Sequence, residues 1–219
     1  MASSAVFTAG FVGIMLGAVT AGAEFYAGGF VGDGFPIDFR NIEGTGLAAG
    51  LRQTDSALHE TLLVGGKAGY FFERARWFGI EAELHHSNPH LRQNPHAPAG
   101  PLPLPTNGAL ISMWTGTFNA IVRYPGTRAE PYAGLGLAVV GTHLHNATVD
   151  SSALTPGINA MAGVRVFITH RVALFGEFKY VAIPNMHFSD IGGPGRGATA
   201  DYGMPALAVG MTIHLPRMP

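Results

Sequence analysis

The sequence predicts an all-β fold, an eight-stranded antiparallel up-and-down β-barrel. Three observations carry that expectation: hydrophobic alternation with period two, tight turns alternating with long loops, and a composition rich in glycine yet poor in charge. Of 219 residues only 12% are charged, whereas glycine contributes 31 and proline 15. That charged fraction is about half the usual share of a globular chain. A net charge of -1 leaves no basic surface for nucleic acid. The positive mean hydropathy argues against disorder. No apolar run of about twenty residues follows residue 23, which argues against a membrane helix in that stretch. There is no cysteine, so disulfides and thiolate chemistry drop out.

The N-terminal stretch from Ala5 to Val19 is small and apolar, and Ala21-Gly22-Ala23 offers an A-x-A cleavage site. These features read as a secretory signal peptide. The expected organisation is a signal over residues 1–23 and one β-barrel domain over 24–219.

Eight alternating segments follow: Phe25–Val31, Leu58–Phe72, Trp77–Asn88, Leu110–Tyr124, Pro131–His145, Thr155–Ile168, Val172–Val181 and Ala206–Leu215. In the fourth, Leu110, Trp114, Phe118, Ala120, Val122 and Tyr124 share one parity, opposite Asn119 and Arg123. In the sixth, Ile158, Ala160, Ala162, Val164, Val166 and Ile168 oppose Asn159 and Arg165. In the seventh, Leu174, Phe178 and Tyr180 oppose Glu177 and Lys179, and in the eighth Leu207, Val209, Met211, Ile213 and Leu215 oppose Thr212 and His214. The connections alternate as well. Glu73–Arg76, Pro125–Arg128 and Thr169–Arg171 read as tight turns, whereas Gly32–Ala57, Pro89–Ala109, Asn146–Leu154 and Ile183–Pro205 read as long loops. Short connections at one end and long ones at the other belong to a transmembrane barrel in a bacterial outer membrane, with the apolar parity facing lipid. A soluble lipocalin-like barrel would be apolar inside, which inverts the pattern seen here.

An eight-stranded barrel has room inside only for its own side chains. The parity set places Lys67, Glu81, Glu83, Arg123, Arg165, Glu177 and Lys179 there, four cations against three carboxylates. Buried charges persist when paired and hydrogen-bonded, so this set is expected to form an interior salt-bridge network.

With these strands in view, the chain resembles the OmpA-like family of small outer-membrane barrels over about Phe25 to Leu215. The resemblance is carried by Gly65-Gly66-Lys67-Ala68-Gly69-Tyr70, by Gly79-Ile80-Glu81 and by Pro131-Tyr132-Ala133-Gly134-Leu135-Gly136. In the last strand Gly210, Ile213 and Leu215 look like the signal read by the barrel-assembly machinery, although Pro216-Arg217-Met218-Pro219 stands where a terminal aromatic is usual. The resemblance implies a non-enzymatic barrel with no cofactor, embedded in lipid and lipopolysaccharide, whose long outer loops serve envelope structure or surface interaction.

Two alternatives come from histidine. His85-His86-Ser87-Asn88 resembles the His-x-Ser-Asn step of the lipid A deacylases, whose hydrolysis needs a nucleophile, a base and an orienting carboxylate. The segment from Ala109 to Tyr124 supplies no carboxylate, and Glu83, on the same face as His85 and Ser87, points inward away from lipid, so no catalytic residue is assigned. His85, His86, His90, His143 and His145 gather at the loop side as weak candidates for a metal, through His86-x₃-His90 and the one-face pair His143-x-His145.

Overall fold

Alternating apolar and polar side chains build one continuous antiparallel ladder in the computed structural model, which describes residues 24–53, 60–88, 110–146, 149–188 and 195–215. The strands are β1 (Glu24–Gly34), β2 (Ile37–Gly46), β3 (Arg52–Gln53), β4 (Thr61–Phe72), β5 (Ala75–Ser87), β6 (Leu110–Arg123), β7 (Ala129–Asn146), β8 (Val149–Phe167), β9 (Val172–Phe188) and β10 (Arg196–His214). Neighbours run β1-β4-β5-β6-β7-β8-β9-β10, and β10 returns to pair with β1 from Tyr26↔His214 to Gly34↔Ala206. Eight strands therefore close an antiparallel barrel. Closure removes the sheet edges that hydrocarbon cannot solvate.

β2 and β3 fall inside the segment expected as the first long loop. β2 continues along β10 from Ile37↔Gly203 to Thr45↔Gly197 and Gly46↔Arg196, so β1 and β2 act as one strand interrupted at Phe35-Pro36. The Phe35 N–H still donates to the Pro205 carbonyl at 2.8 Å, whereas Pro36 has no N–H to give. The expected loops Asn146–Leu154 and Ile183–Pro205 are also largely strand, because β8, β9 and β10 reach well past the alternating segments. Their ladders continue into water, where no lipid-facing side imposes an apolar parity, so the sequence pattern fades before the hydrogen bonds do. The expected loop Pro89–Ala109 and the signal at 1–23 lie outside the described residues.

At the other end the connections are tight. β4 and β5 are joined through Glu73-Arg74, and β6 turns into β7 with Gly126 at φ +94°, a left-handed conformation that glycine adopts without strain. Between β8 and β9 the Thr169 hydroxyl accepts from the backbone N–H groups of Arg171 and Val172.

The outward parity makes an apolar belt. Trp114, Phe118 and Val122 on β6, Tyr124 just past its end, Leu135 and Leu137 on β7, and Leu207 and Val209 on β10 are all exposed. Trp114 and Tyr124 are ten positions apart. At about 3.3 Å per residue and a tilt of about 40°, that spacing spans roughly 25 Å, the height of an outer-membrane apolar band. Inward, glycine makes room for rings laid flat against the wall. A Cβ on Gly163 would meet the Tyr132 ring at 2.8 Å, and one on Gly210 would meet the Phe175 ring at 2.6 Å. Part of the high glycine content is thus a packing requirement.

Candidate functional site

The barrel interior fills in layers, beginning at the turn side. Glu24 opens β1, Arg123 ends β6, and Glu130 lies at the start of β7. Arg123 donates through Nη1 and Nη2 to the two Glu24 oxygens at 2.9 and 2.6 Å, and through Nη1 to Glu130 Oε2 at 3.1 Å. Its Nε donates to the Arg76 carbonyl at 2.9 Å. This two-pronged geometry is the strong form of a guanidinium–carboxylate contact. His214 joins the group with Nδ1 2.7 Å from Glu24 Oε1, and its ring stacks on Tyr26 at 5.2 Å.

Above this lies an aromatic layer. Tyr26, Phe71, Ile121, Tyr132 and Met161 pack together, with the Arg123 guanidinium 3.7 Å over the Phe71 ring centre. Arg165 enters from β8, its guanidinium 4.3 Å from the Tyr26 ring centre and 5.1 Å from that of Tyr132. Such stacking suits a planar, weakly hydrated cation. The two tyrosines turn their hydroxyls onward. Tyr26 donates to Glu81 Oε2 at 2.6 Å, and Tyr132 donates to Glu177 Oε2 at 2.7 Å.

The middle layer holds Lys67 on β4, Glu81 and Glu83 on β5, and Glu177 and Lys179 on β9. Lys67 Nζ lies 3.2 Å from Glu81 Oε1, 3.6 Å from Glu83 Oε2 and 2.7 Å from Glu177 Oε2. Lys179 pairs with Glu83 and stands 2.9 Å from Glu177 Oε1, an ion pair whose angles do not make a hydrogen bond. Adjacent strands supply part of this arrangement, since Lys67 is in register with Glu83 across β4 and β5. β9 is not adjacent to β4 or β5, so the Glu177 and Lys179 contacts tie separate parts of the wall together across the lumen. Residue exposures in this layer run from 0% at Glu81 to 4% at Lys67, so water does not reach it. Phe30 and Phe175 cap it, with Lys179 Nζ 4.0 Å over the first ring and Lys67 Nζ 4.6 Å over the second.

The seven expected charges are all buried, and they fall into distinct groups. Lys67, Glu81, Glu83, Glu177 and Lys179 interlock; Arg165 stacks beside them on the tyrosines; Arg123 belongs to the lower group with Glu24, Glu130 and His214. Parity reading missed Glu24 and Glu130 because each sits one residue before an alternating segment as read from the sequence. It missed Tyr26 and Tyr132 because a tyrosine reads as apolar until its hydroxyl is seen to have a partner. Asn119 lies on the inner face and accepts from Asn159 at 2.8 Å.

The His-His-Ser-Asn segment divides between the faces. His86 points outward, with Nε2 2.9 Å from Ser112 Oγ and its ring 4.6 Å from Trp114. His85 and Ser87 point inward and are each 1% exposed. A carboxylate does approach His85, from its own strand: His85 Nδ1 lies 3.0 Å from Glu83 Oε1. The strand expected to lack a carboxylate, over Ala109 to Tyr124, does lack one, and Glu83 reaches the ring because residues two apart on a strand share a face. His85 Nε2 and Ser87 Oγ have no hydrogen-bond partner, so the two are not bonded to each other. Of the other weak metal candidates, His90 lies outside the described residues, and of His143 and His145 only the backbone on β7 is described.

Residues 5–193 match the family model described as outer membrane protein beta-barrel domain. Solved structures share the fold. OprG from Pseudomonas aeruginosa aligns with a TM-score of 0.62 at 12% identity, covering 89% of this chain and 97% of that one. Neisserial surface protein A aligns at 0.56 and 14% identity, covering 86% and 96%. No curated protein sequence matches the chain.

Proposed function

From a chain that belongs to the outer membrane protein beta-barrel domain family and resides in the bacterial outer membrane, we propose a non-enzymatic, plugged barrel that serves envelope structure or surface interaction. The buried layer of Lys67, Glu81, Glu83, Glu177 and Lys179 carries this reading, since it ties separate parts of the wall together across the lumen. A narrow barrel filled by paired charges supports a scaffold rather than a solute pore. Its partners are then the lipid and lipopolysaccharide around the belt and whatever meets the outer loops. The outward Ile213 and Leu215, together with Gly210, make the last strand the surface offered to the barrel-assembly machinery during insertion. Protein reconstituted in planar bilayers is expected to give no steady porin-sized conductance. A stable, voltage-independent open level of that size would overturn the plug.

The Glu83–His85 contact favours a second reading, an acyl hydrolase acting on lipid A. The carboxylate holds the proton on Nδ1 and leaves Nε2 as a base, which is the triad tautomer. Against it, Ser87 makes no bond to that nitrogen, and both groups face the closed interior. The expected result is equal, background-level acyl release from lipid A by the wild type and by Ser87→Ala in detergent. Ser87-dependent release well above background would replace the scaffold reading with the enzyme.

A further inference from the structure

The ladder between β8 and β9 stops short. Pairing runs from Phe167↔Ala173 to Ile158↔Ala182, yet β8 continues back to Val149 and β9 continues to Phe188. The same register carried one step further would set Gly157 opposite Ile183, and the next would set Pro156 opposite Pro184. Neither proline has an N–H to donate, so the rung cannot form and the two strands part. Where they part, the outer wall holds a concave groove of about 680 Å³, lined by Pro156, Ile158, Tyr180, Ile183, Pro184 and Tyr202, with Ile37 and Asp201 closing it on the side of β2 and β10. Ile158 and Tyr180 are exposed on the outer face, whereas Ile183 and Tyr202 are buried and form the floor.

The position of this groove decides what covers it. Ile158 is in register with Leu137, and Leu137 with Phe118, in the middle of the belt. Leu154, further out along β8, is still 68% exposed and aligns through Gly141 with Trp114 at the belt's upper rim. The groove therefore starts within the apolar band and opens toward the loop side, in the outer leaflet. Its volume lies in the range of small-molecule sites, roughly 300–1,000 Å³. We propose that the groove between β8 and β9 is a binding site for one hydrocarbon chain of an outer-leaflet lipid. The chain lies against Ile158, Tyr180 and Pro184 and is held longer than the lipid around the rest of the belt. Two facing prolines serve the site twice, by parting the strands and by removing N–H donors that hydrocarbon would leave unpaired.

The test uses the full chain in detergent with added palmitoyl-oleoyl phosphatidylethanolamine, followed by native mass spectrometry. One lipid per barrel is expected to survive collision energies that strip the others. Ala182→Trp, which fills the groove, is expected to lower that occupancy at least tenfold, whereas Ala162→Trp, elsewhere on the outer face, leaves it unchanged. No retained lipid on the wild type, or equal retention by Ala182→Trp and wild type, would overturn the site. Should Ala182→Trp fail to migrate as a folded barrel, the wild type decides, with a phospholipid carrying a diazirine in its acyl chain at one lipid per protein. Adducts concentrated on Ile158, Tyr180 and Pro184 support the groove, and adducts spread equally over Leu135 and Leu137 refute it.

Discussion

Replacing Lys67 by methionine is expected to lower the unfolding free energy of the barrel by about 3–5 kcal/mol, the cost of leaving buried charge without its mate. The volume changes little, so the loss is electrostatic rather than a cavity. Lys67 lies within ion-pair distance of Glu81, Glu83 and Glu177, and its removal leaves three carboxylates facing Lys179, with Arg165 nearby. At 0–3% exposure these carboxylates have no water to replace the ammonium. Urea unfolding in vesicles measures the change. Adding Glu177→Gln to Lys67→Met is expected to recover part of the loss, because it removes one of the stranded charges. A Lys67→Met protein as stable as wild type would mean that the layer is hydrated in the membrane and does not hold the walls together.

The second large effect is expected on the opposite face. Leu137→Arg puts a guanidinium in the middle of the belt, in register with Phe118 and Ile158, and should cost about 2–4 kcal/mol, as charged residues do near the midplane of a lipid-facing barrel wall. Exposure alone does not distinguish this position. Leu47, in the turn between β2 and β3, is 78% exposed against 70% for Leu137. Leu47→Arg is nevertheless expected to fall within about 1 kcal/mol of wild type, because its surroundings beyond the belt are water. Equal costs at the two sites, read from the same urea titration, would place the lipid boundary elsewhere and undo the assignment of the belt.

The contrast between Leu137 and Leu47 shows what amino-acid order determines here. Along β6, Trp114, Phe118 and Val122 face out and Asn119 and Arg123 face in, because a strand turns successive side chains to opposite sides and lipid penalises any error. The number of closing strands, the tight turns and the inward charges follow from that one rule. Where lipid no longer presses on one face, the rule lapses, and the outer halves of β8, β9 and β10 and the whole of β2 were not legible as strands.

Which inward groups meet was decided only by closure. Periodicity puts Glu177 and Lys67 inside, but only the shared lumen puts them 2.7 Å apart from strands β9 and β4. The same holds for Arg123, which finds its partner Glu24 on a strand 99 residues away in sequence rather than in the middle layer. The prolines at 156 and 184 acquire their meaning only once the β8–β9 register, carried two steps past its last pair, brings them opposite each other. A period of two is a property of the single strand and can be read from one chain segment. Partners across a barrel depend on the stagger at which all eight strands close, and no single segment carries that information.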